Sequence, residues 1–522
     1  MPTRDKEIRF PMEGVSRLQR ERTDFRRATF PAPWAANVRV LDNIERRQRG
    51  GSRPGLTKFH ASDMGTTVSD IVAVQVGRST GTAELLVVLV DSTLKVIESG
   101  SLSTPLAYLT NTAGNFITNT AGDKITVGTG SAPSSAFLVA GQSHVFAVSG
   151  SSIIKYSPDT GKTDTLVATA GAIPTASTFG AVYRDRLFLS GEDNAIYASR
   201  IGKYSDWDIG GTFEDRGKAI AFQLAISSEV GDKPTALIPH SDQNLICASR
   251  RSLWVITEDP GSGRIQKISD RIGIIGSRAW CRVDGLLYFL AEDGLYRMGM
   301  NGSGLEPVSE MRVPEELRDI NVSTTNIQMG YERDRRTIHI YLRTGAGSQT
   351  HWNYEIPQNA FWPVRIPDDH VPVASCSHDG KLLFAGGDGY IRYVGGNDDD
   401  GTSIQSHVVL GPFRMGRNGA YGRLYQLQGM LASNSADVSW RIVVGDTADI
   451  AADNVKAAIE AFQAGSSYAS YVQNSGTWSA GRGPRSYPRS RGVWCCLWLQ
   501  STGKWAFEGV IAGLAESGRF KG

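Results

Sequence analysis

Several features that would mark a secreted, membrane-spanning or nucleic-acid-coating protein are missing from this chain. Its five cysteines (Cys247, Cys281, Cys376, Cys495 and Cys496) form no CxxC pair. That argues against a disulfide framework or a thiol-bound structural zinc, and for free thiols in a reducing compartment. Apolar runs such as Leu85 to Val90, six residues, fall far short of the roughly 18 that a membrane span needs. The start, MPTRDKEIRF, has no apolar core of the secretory-signal kind. Net charge is nearly absent: 55 Lys and Arg against 53 Asp and Glu leave +2, too balanced for a protein that coats nucleic acid. There is no P-loop, no GxSxG elbow and no GxGxxG after a strand. The eight histidines are scattered, with no HxH or HExxH pair. These absences predict no catalytic cluster, no metal and no cofactor.

Glycine is what the chain has in excess, 58 of 522 residues, about 11% where about 7% is usual. With only 21 prolines and few helix signals, the excess implies many tight turns and therefore many short strands. A unit recurs through the middle of the chain. It consists of an apolar strand, a polar turn with Asp or Gly, a second apolar strand, another such turn, and a strand with an aromatic. Ala279 to Met298, around Asp284-Gly285 and Asp293-Gly294, is the cleanest copy. Val373 to Tyr393, around Asp379-Gly380 and Asp388-Gly389, is another, and Ala181 to Ala198, around Arg184-Asp185, a third. Asp-Gly between alternating apolar runs is a strong hairpin signal, because both turn residues must accept positive φ. Weaker copies run from Val145 to Tyr156 and from Leu245 to Ile256. Strand-like runs at Ile71–Ile97 and Ile327–Val364 bring the total to about seven, at spacings of roughly 40–58 residues. That period predicts an all-β fold with a β-propeller of about seven blades; a large sandwich or prism stack is the rival. Tyr197, Tyr296 and Tyr393 are expected at equivalent blade positions.

The domains expected are a basic N-terminal arm (1–60), the propeller (61–396) and a C-terminal β-sandwich-like domain (397–522). The polar run Gly395 to Gly401 is the expected break, its Asp398-Asp399-Asp400 read as a linker. Residues 402–522 are expected to tolerate excision. One helix is expected there, with Asp446 as N-cap, Ala451, Val455, Ala458, Ile459 and Phe462 on one face, and Gly465 at its end. Ser157 to Thr163 nearly spells the Asp-box turn of sialidase propellers but lacks its closing aromatic, and reads as an ordinary hairpin turn. Charge is segregated: +7 over residues 1–60, −10 over 61–401 and +5 over 402–522. Such segregation suits a molecule that meets different surfaces at its ends.

Certain residues carry a resemblance. Asn37-Val38-Arg39 and Arg49 to Leu56 are similar to the N-terminal signature of tail proteins of tailed bacteriophages. Tyr183 to Gly191, Ile196 to Ser199, Gly202 to Trp207, Ile274 to Arg278, Trp478 to Arg482, Pro488 to Gly492 and Trp505 to Glu508 follow in the same order. Together they resemble the nozzle or hub protein at the distal end of a short-tailed phage tail. The resemblance implies a structural virion protein rather than an enzyme, made in the bacterial host cytoplasm. It implies a propeller subunit in a hexameric ring below the portal and head-tail adaptor. The ring would contact other tail proteins or fibres and enclose the channel through which double-stranded DNA passes, without sequence-specific binding or stable membrane insertion. The alternatives are a propeller that binds a receptor or glycan, and a propeller hydrolase. Arg46, Arg47, Arg49 and Arg53 suit charge-assisted contacts with an acidic neighbour, as well as phosphate or a merely exposed turn. With Trp34 as an apolar plug, they are the expected interface residues of an arm with no core of its own.

Overall fold

Short apolar strands separated by tight turns cannot bury both faces alone, so they stack as sheets around a common axis. The computed structural model describes residues 3–519 except 10, 12–13, 16–33, 67, 79–80, 109–119, 121–125, 130–135, 142, 151, 192–194, 211–214, 225–231, 262, 300, 309–312, 319, 345–350, 417–419 and 480–484. Seven sheets follow one another along the chain as the blades of a β-propeller. Their first strands are Val68–Arg78, Phe137–Ala140, Gly180–Tyr183, Pro234–Ser241, Trp280–Val283, Thr325–Glu332 and Pro372–His378. Consecutive first strands pack side by side, and that of blade 7 packs on that of blade 1, which closes the ring. Blade 2 is the irregular one: Leu106–Tyr108 adds to it in parallel, and Thr126–Thr129 lies outside that strand. The fourth strand of blade 7 comes from the other end of the chain, Leu56–Lys58 pairing with Ile391–Val394.

The hairpin chemistry is as the sequence requires. Asp284 and Gly285 have φ 47° and 85°, Asp379 and Gly380 have 48° and 70°, and Arg184 and Asp185 have 48° and 55°. Ser157 to Lys162 is a hairpin turn, with Gly161 donating its N–H to the Ser157 carbonyl. Register aligns Tyr197 with Tyr296, opposite Leu189 and Phe289. Tyr393, expected at the same position, is displaced by one residue. Phe384, the counterpart of Phe289, pairs with Arg392 instead. The cause is the turn Gly387–Gly389, one residue longer than Glu292-Asp293, and a slip of one residue turns a side chain to the other face. Asn194, in the repeat that contains Tyr197, lies outside the described residues.

Beyond the propeller, two five-stranded sheets form a sandwich. One is ordered Ala35–Ala36, Ser406–Arg414, Trp494–Ser501, Val438–Gly445, Asn474–Trp478. The other contains Thr3–Ile8, Phe507–Arg519, Ala420–Leu431 and, beside the last, Arg485–Ser486 and Ser490–Gly492. The helix Ala448–Gln463 covers the first sheet with Ala451, Val455, Ala458 and Ile459 buried. Its N-cap is Thr447, whose hydroxyl accepts from the Ile450 N–H, not Asp446. Three side chains between the ends of the helix and the sheet, Phe462, Tyr468 and Trp498, surround the Arg441 guanidinium.

The expected division into arm, propeller and C-terminal domain needs correction at both joints. The described part of residues 1–60 is no free arm: it supplies an edge strand to each sandwich sheet and the closing strand of blade 7. The sandwich core contains Ile8, Val38 and Val40 from that segment and Ala360 and Trp362 from blade 6. Phe30 lies outside the described residues. The Asp398–Asp400 run is a fastening rather than a linker. Asp399 is buried and pairs with Arg53, while Asp400 pairs with Arg392 and Lys58.

Candidate functional site

The densest chemistry in the described chain lies where the N-terminal segment passes between sandwich and propeller. Residues 37–53 run as a short hairpin, Val38–Leu41 with Gln48–Ser52, wedged between blade 6 and the sandwich. Arg53 is 4% exposed and donates five hydrogen bonds, the full capacity of a guanidinium. The acceptors are Asn37 Oδ1 (2.9 Å), the Pro54 carbonyl (2.9 Å), the Arg365 carbonyl (2.9 Å) and both oxygens of Asp399 (2.8 and 2.5 Å). The Asn37 amide donates to the Gln405 carbonyl at 2.8 Å, and its oxygen also accepts from the Arg365 N–H. One asparagine and one arginine thus join the arm segment, the end of blade 6 and the first sandwich strand.

Arg39, fully buried, reaches the other way into blade 6. It donates to Glu355 (3.1 Å), to Glu332 (3.4 Å) and to the Thr337 hydroxyl. Glu332 also pairs with Arg335 and, at 3.0 Å, with His339. Burial works to raise the Glu332 pKa, but the His339 hydrogen bond and the Arg39 and Arg335 guanidinia outweigh it and hold the carboxyl well below the carboxylate range. Burial pushes Glu355 up, and Arg39 only partly offsets it. Burial likewise lowers the His339 pKa, against the pull of Glu332.

The other expected interface residues divide by exposure. Arg49 is mostly covered and pairs with Asp42 (3.0 Å), Glu45 (3.2 Å) and Glu508 (2.8 Å). Arg47 is exposed beside Glu45. Arg46 sits in the hairpin turn at φ 57°, exposed, and lines a groove of about 440 Å³ with Arg333 and Lys381. Trp34 packs on the sandwich helix, with Lys456 Nζ 5.3 Å from its ring centre. The structure therefore places Arg49, Arg53 and Trp34 inside this chain's own seam, and leaves Arg46 and Arg47 at the surface.

Two further arginines that sequence reading did not single out do similar work. Arg186, fully buried, also donates five bonds, to the Ser199, Lys218 and Arg216 carbonyls and to both oxygens of Asp259. It ties blade 3 to the turn that ends blade 4's third strand. Arg392 holds Asp388 at 2.8 and 2.6 Å and Asp400 at 2.7 Å. Asp369, His370 and Asp388 bring three ligand-type atoms within 4.8 Å of one another. Both Asp388 oxygens already accept from Arg392, so a guanidinium holds the position a cation would need.

No protein-family model matches the chain, and no curated protein matches it. Among solved structures it is similar to a chain of the mitotic checkpoint complex, at 12% identity over 65% of this chain and 93% of that one, with a TM-score of 0.40. The WD40 β-propeller domain of Doa1 aligns at 12% identity over 65% and 95%, with a TM-score of 0.36. The computationally designed Ika8 protein aligns at 13% identity over 64% and 99%, with a TM-score of 0.35. The propeller assignment rests on this chain's own sheets.

Proposed function

We propose that this chain is a structural subunit of a short-tailed phage tail, one copy of a ring-shaped nozzle or hub docked below the portal and adaptor and enclosing the DNA channel. One observation supports the reading most. The residues that carry the resemblance, far apart in sequence, meet in the seam. Gly51 bridges to Ala506. The Ser52 N–H donates to the Trp505 carbonyl, and the Trp505 N–H to the Ser52 hydroxyl at 3.1 Å. Arg49 reaches Glu508, and Asn37 holds Arg53. The second set, Tyr183 to Trp207, is held by Arg186 and by the Gly202 N–H on the Asp185 carbonyl. These residues lock modules together, as a conduit through which DNA is driven requires. Among the described residues no helix is long and apolar enough to cross a membrane.

The reading expects copies of the chain to close into a ring. Electron microscopy and mass photometry of the purified protein, alone and with a portal–adaptor complex, test it. A ring of defined copy number with an axial opening supports the proposal. A monomer that stays monomeric with the portal–adaptor complex present overturns it.

A further inference from the structure

A cavity of about 720 Å³ opens at one end of the propeller, where the loops entering blades 5, 6 and 7 meet the far end of the blade 6 hairpin. Its wall is built on strand register. Asn326 lies directly opposite Arg343 on the first two strands of blade 6, so the amide and the guanidinium project from the same face about 5 Å apart at Cβ. Neither side chain has a hydrogen-bond or ion partner among the described residues. The Arg343 guanidinium lies against Gly387 of blade 7, where an added Cβ would come within 2.9 Å of it. Arg278 also lines the cavity. It gives one N–H to Asp70, whose carboxylate also accepts from the Leu138 and Ile71 N–H groups, and it stacks 4.2 Å from the Phe137 ring centre. Ser277, Thr325 and Asp368 also line the cavity.

The chemistry selects a ligand class. The Arg343 guanidinium suits a planar oxyanion, which arginine holds bidentately. Hydroxyl and amide side chains both donate and accept, which matches a polyhydroxylated ring. The volume fits one or two sugar residues. Asp368 disfavours a densely charged polyanion. We propose that this cavity binds a saccharide bearing a carboxylate, with Arg343 as the carboxylate anchor and Asn326 as a reader of neighbouring hydroxyls. The inference goes beyond the tail-subunit reading and does not depend on it.

Calorimetric titration of the full chain with digalacturonic acid tests it, with lactose and inorganic phosphate alongside. Digalacturonate should bind, and lactose at least tenfold more weakly. Arg343→Gln should weaken digalacturonate by about tenfold or more, the loss expected for one charge-assisted pair. Asn326→Ala should weaken it by about threefold to tenfold, and both variants should melt as the parent does. Any of four results overturns the proposal: no digalacturonate binding, equal binding of lactose, phosphate binding in its place, or undiminished binding by Arg343→Gln. Ring formation is read separately, so either idea can fail without the other.

Discussion

Blades 1 to 5 and the seam between blade 6 and the sandwich are stabilised by different physics. In these blades, apart from the outer strands of blade 2, each strand pairs with its sequence neighbour, and the sheets bury apolar faces against the next blade, as Leu287, Phe289 and Leu295 do in blade 5. In the seam, contacts join residues hundreds of positions apart, and polar groups carry them: Asn37 with Gln405, Arg39 with Glu355, Arg53 with Asp399. Hydrophobic contact tolerates small shifts. A five-bond guanidinium does not, because each bond lost leaves a buried acceptor uncompensated. The propeller can therefore be built blade by blade, whereas the seam forms as a whole or not at all.

Cutting the chain at the seam should expose that difference most. A fragment of residues 402–522, expected from sequence to survive excision, lacks an edge strand on each sheet and the buried Val38, Val40 and Trp362 of its core. It should be insoluble when expressed alone. Deleting residues 1–58 should likewise give no folded product, because blade 7 loses its fourth strand, Asp399 loses Arg53, and Glu332 and Glu355 lose Arg39. Circular dichroism and size exclusion read both outcomes. A soluble, cooperatively melting 402–522 fragment would show that the sandwich is independent after all.

Single side chains come next. Arg39→Ala removes one partner of a buried cluster and should cost about 3–5 kcal/mol in urea unfolding. Arg282→Ala, on the exposed side of a blade 5 strand, should cost less than about 1 kcal/mol. Equal effects would erase the distinction between seam and blade. The same contrast explains what was legible in the sequence. Asp284-Gly285 announces its hairpin because turn chemistry is local, and the spacing of such units gives the blade count. Nothing local announces that Arg53 meets Asp399 across 346 positions, so an arginine-rich segment read as a free arm. Leu56–Lys58 is too short to register as a strand, although it closes the ring. Arg343 and Asn326 lie in blade 6, which read only as strand-like runs, with no Asp-Gly turn to fix their register.

Acid should loosen the seam side before the other blades. His351, in blade 6 and buried, has its pKa lowered by burial to about 4, with Arg53 adding to the effect; burial lowers His339 of the same blade as well. The unfolded chain binds the His351 proton near pH 6.5 and the folded chain does not, so stability falls as pH drops from about 6.5 towards 4. The slope is about 1.4 kcal/mol per pH unit for this histidine. The depressed Glu332 carboxyl adds stability at higher pH that begins to fall away only below about 4.5. His351→Asn keeps an acceptor for the Leu342 N–H, now given to Nδ1 at 3.2 Å, and cannot titrate. Urea midpoints between pH 7 and 4.5 should lose about one proton's worth of slope in this variant. An unchanged slope would remove His351 from the account.

The smallest expected effect on folding separates the two roles that sequence reading gave to one group of arginines. Arg46 stands in the turn of the hairpin, outside the seam, with no ion or hydrogen-bond partner among the described residues, and its groove is shared with Arg333 and Lys381. Arg46→Glu should therefore change stability by less than about 0.5 kcal/mol, as exposed substitutions do. Arg53→Glu, thirty ångströms or less along the same extended segment by chain length, would place a carboxylate beside Asp399 and should leave no folded protein. If the hairpin turn meets an acidic neighbour in a ring, Arg46→Glu should nonetheless shift the protein from rings to single chains in mass photometry, with an unchanged melting curve. Normal rings formed by Arg46→Glu would sink the interface role of this arginine while leaving the structural role of Arg53 intact.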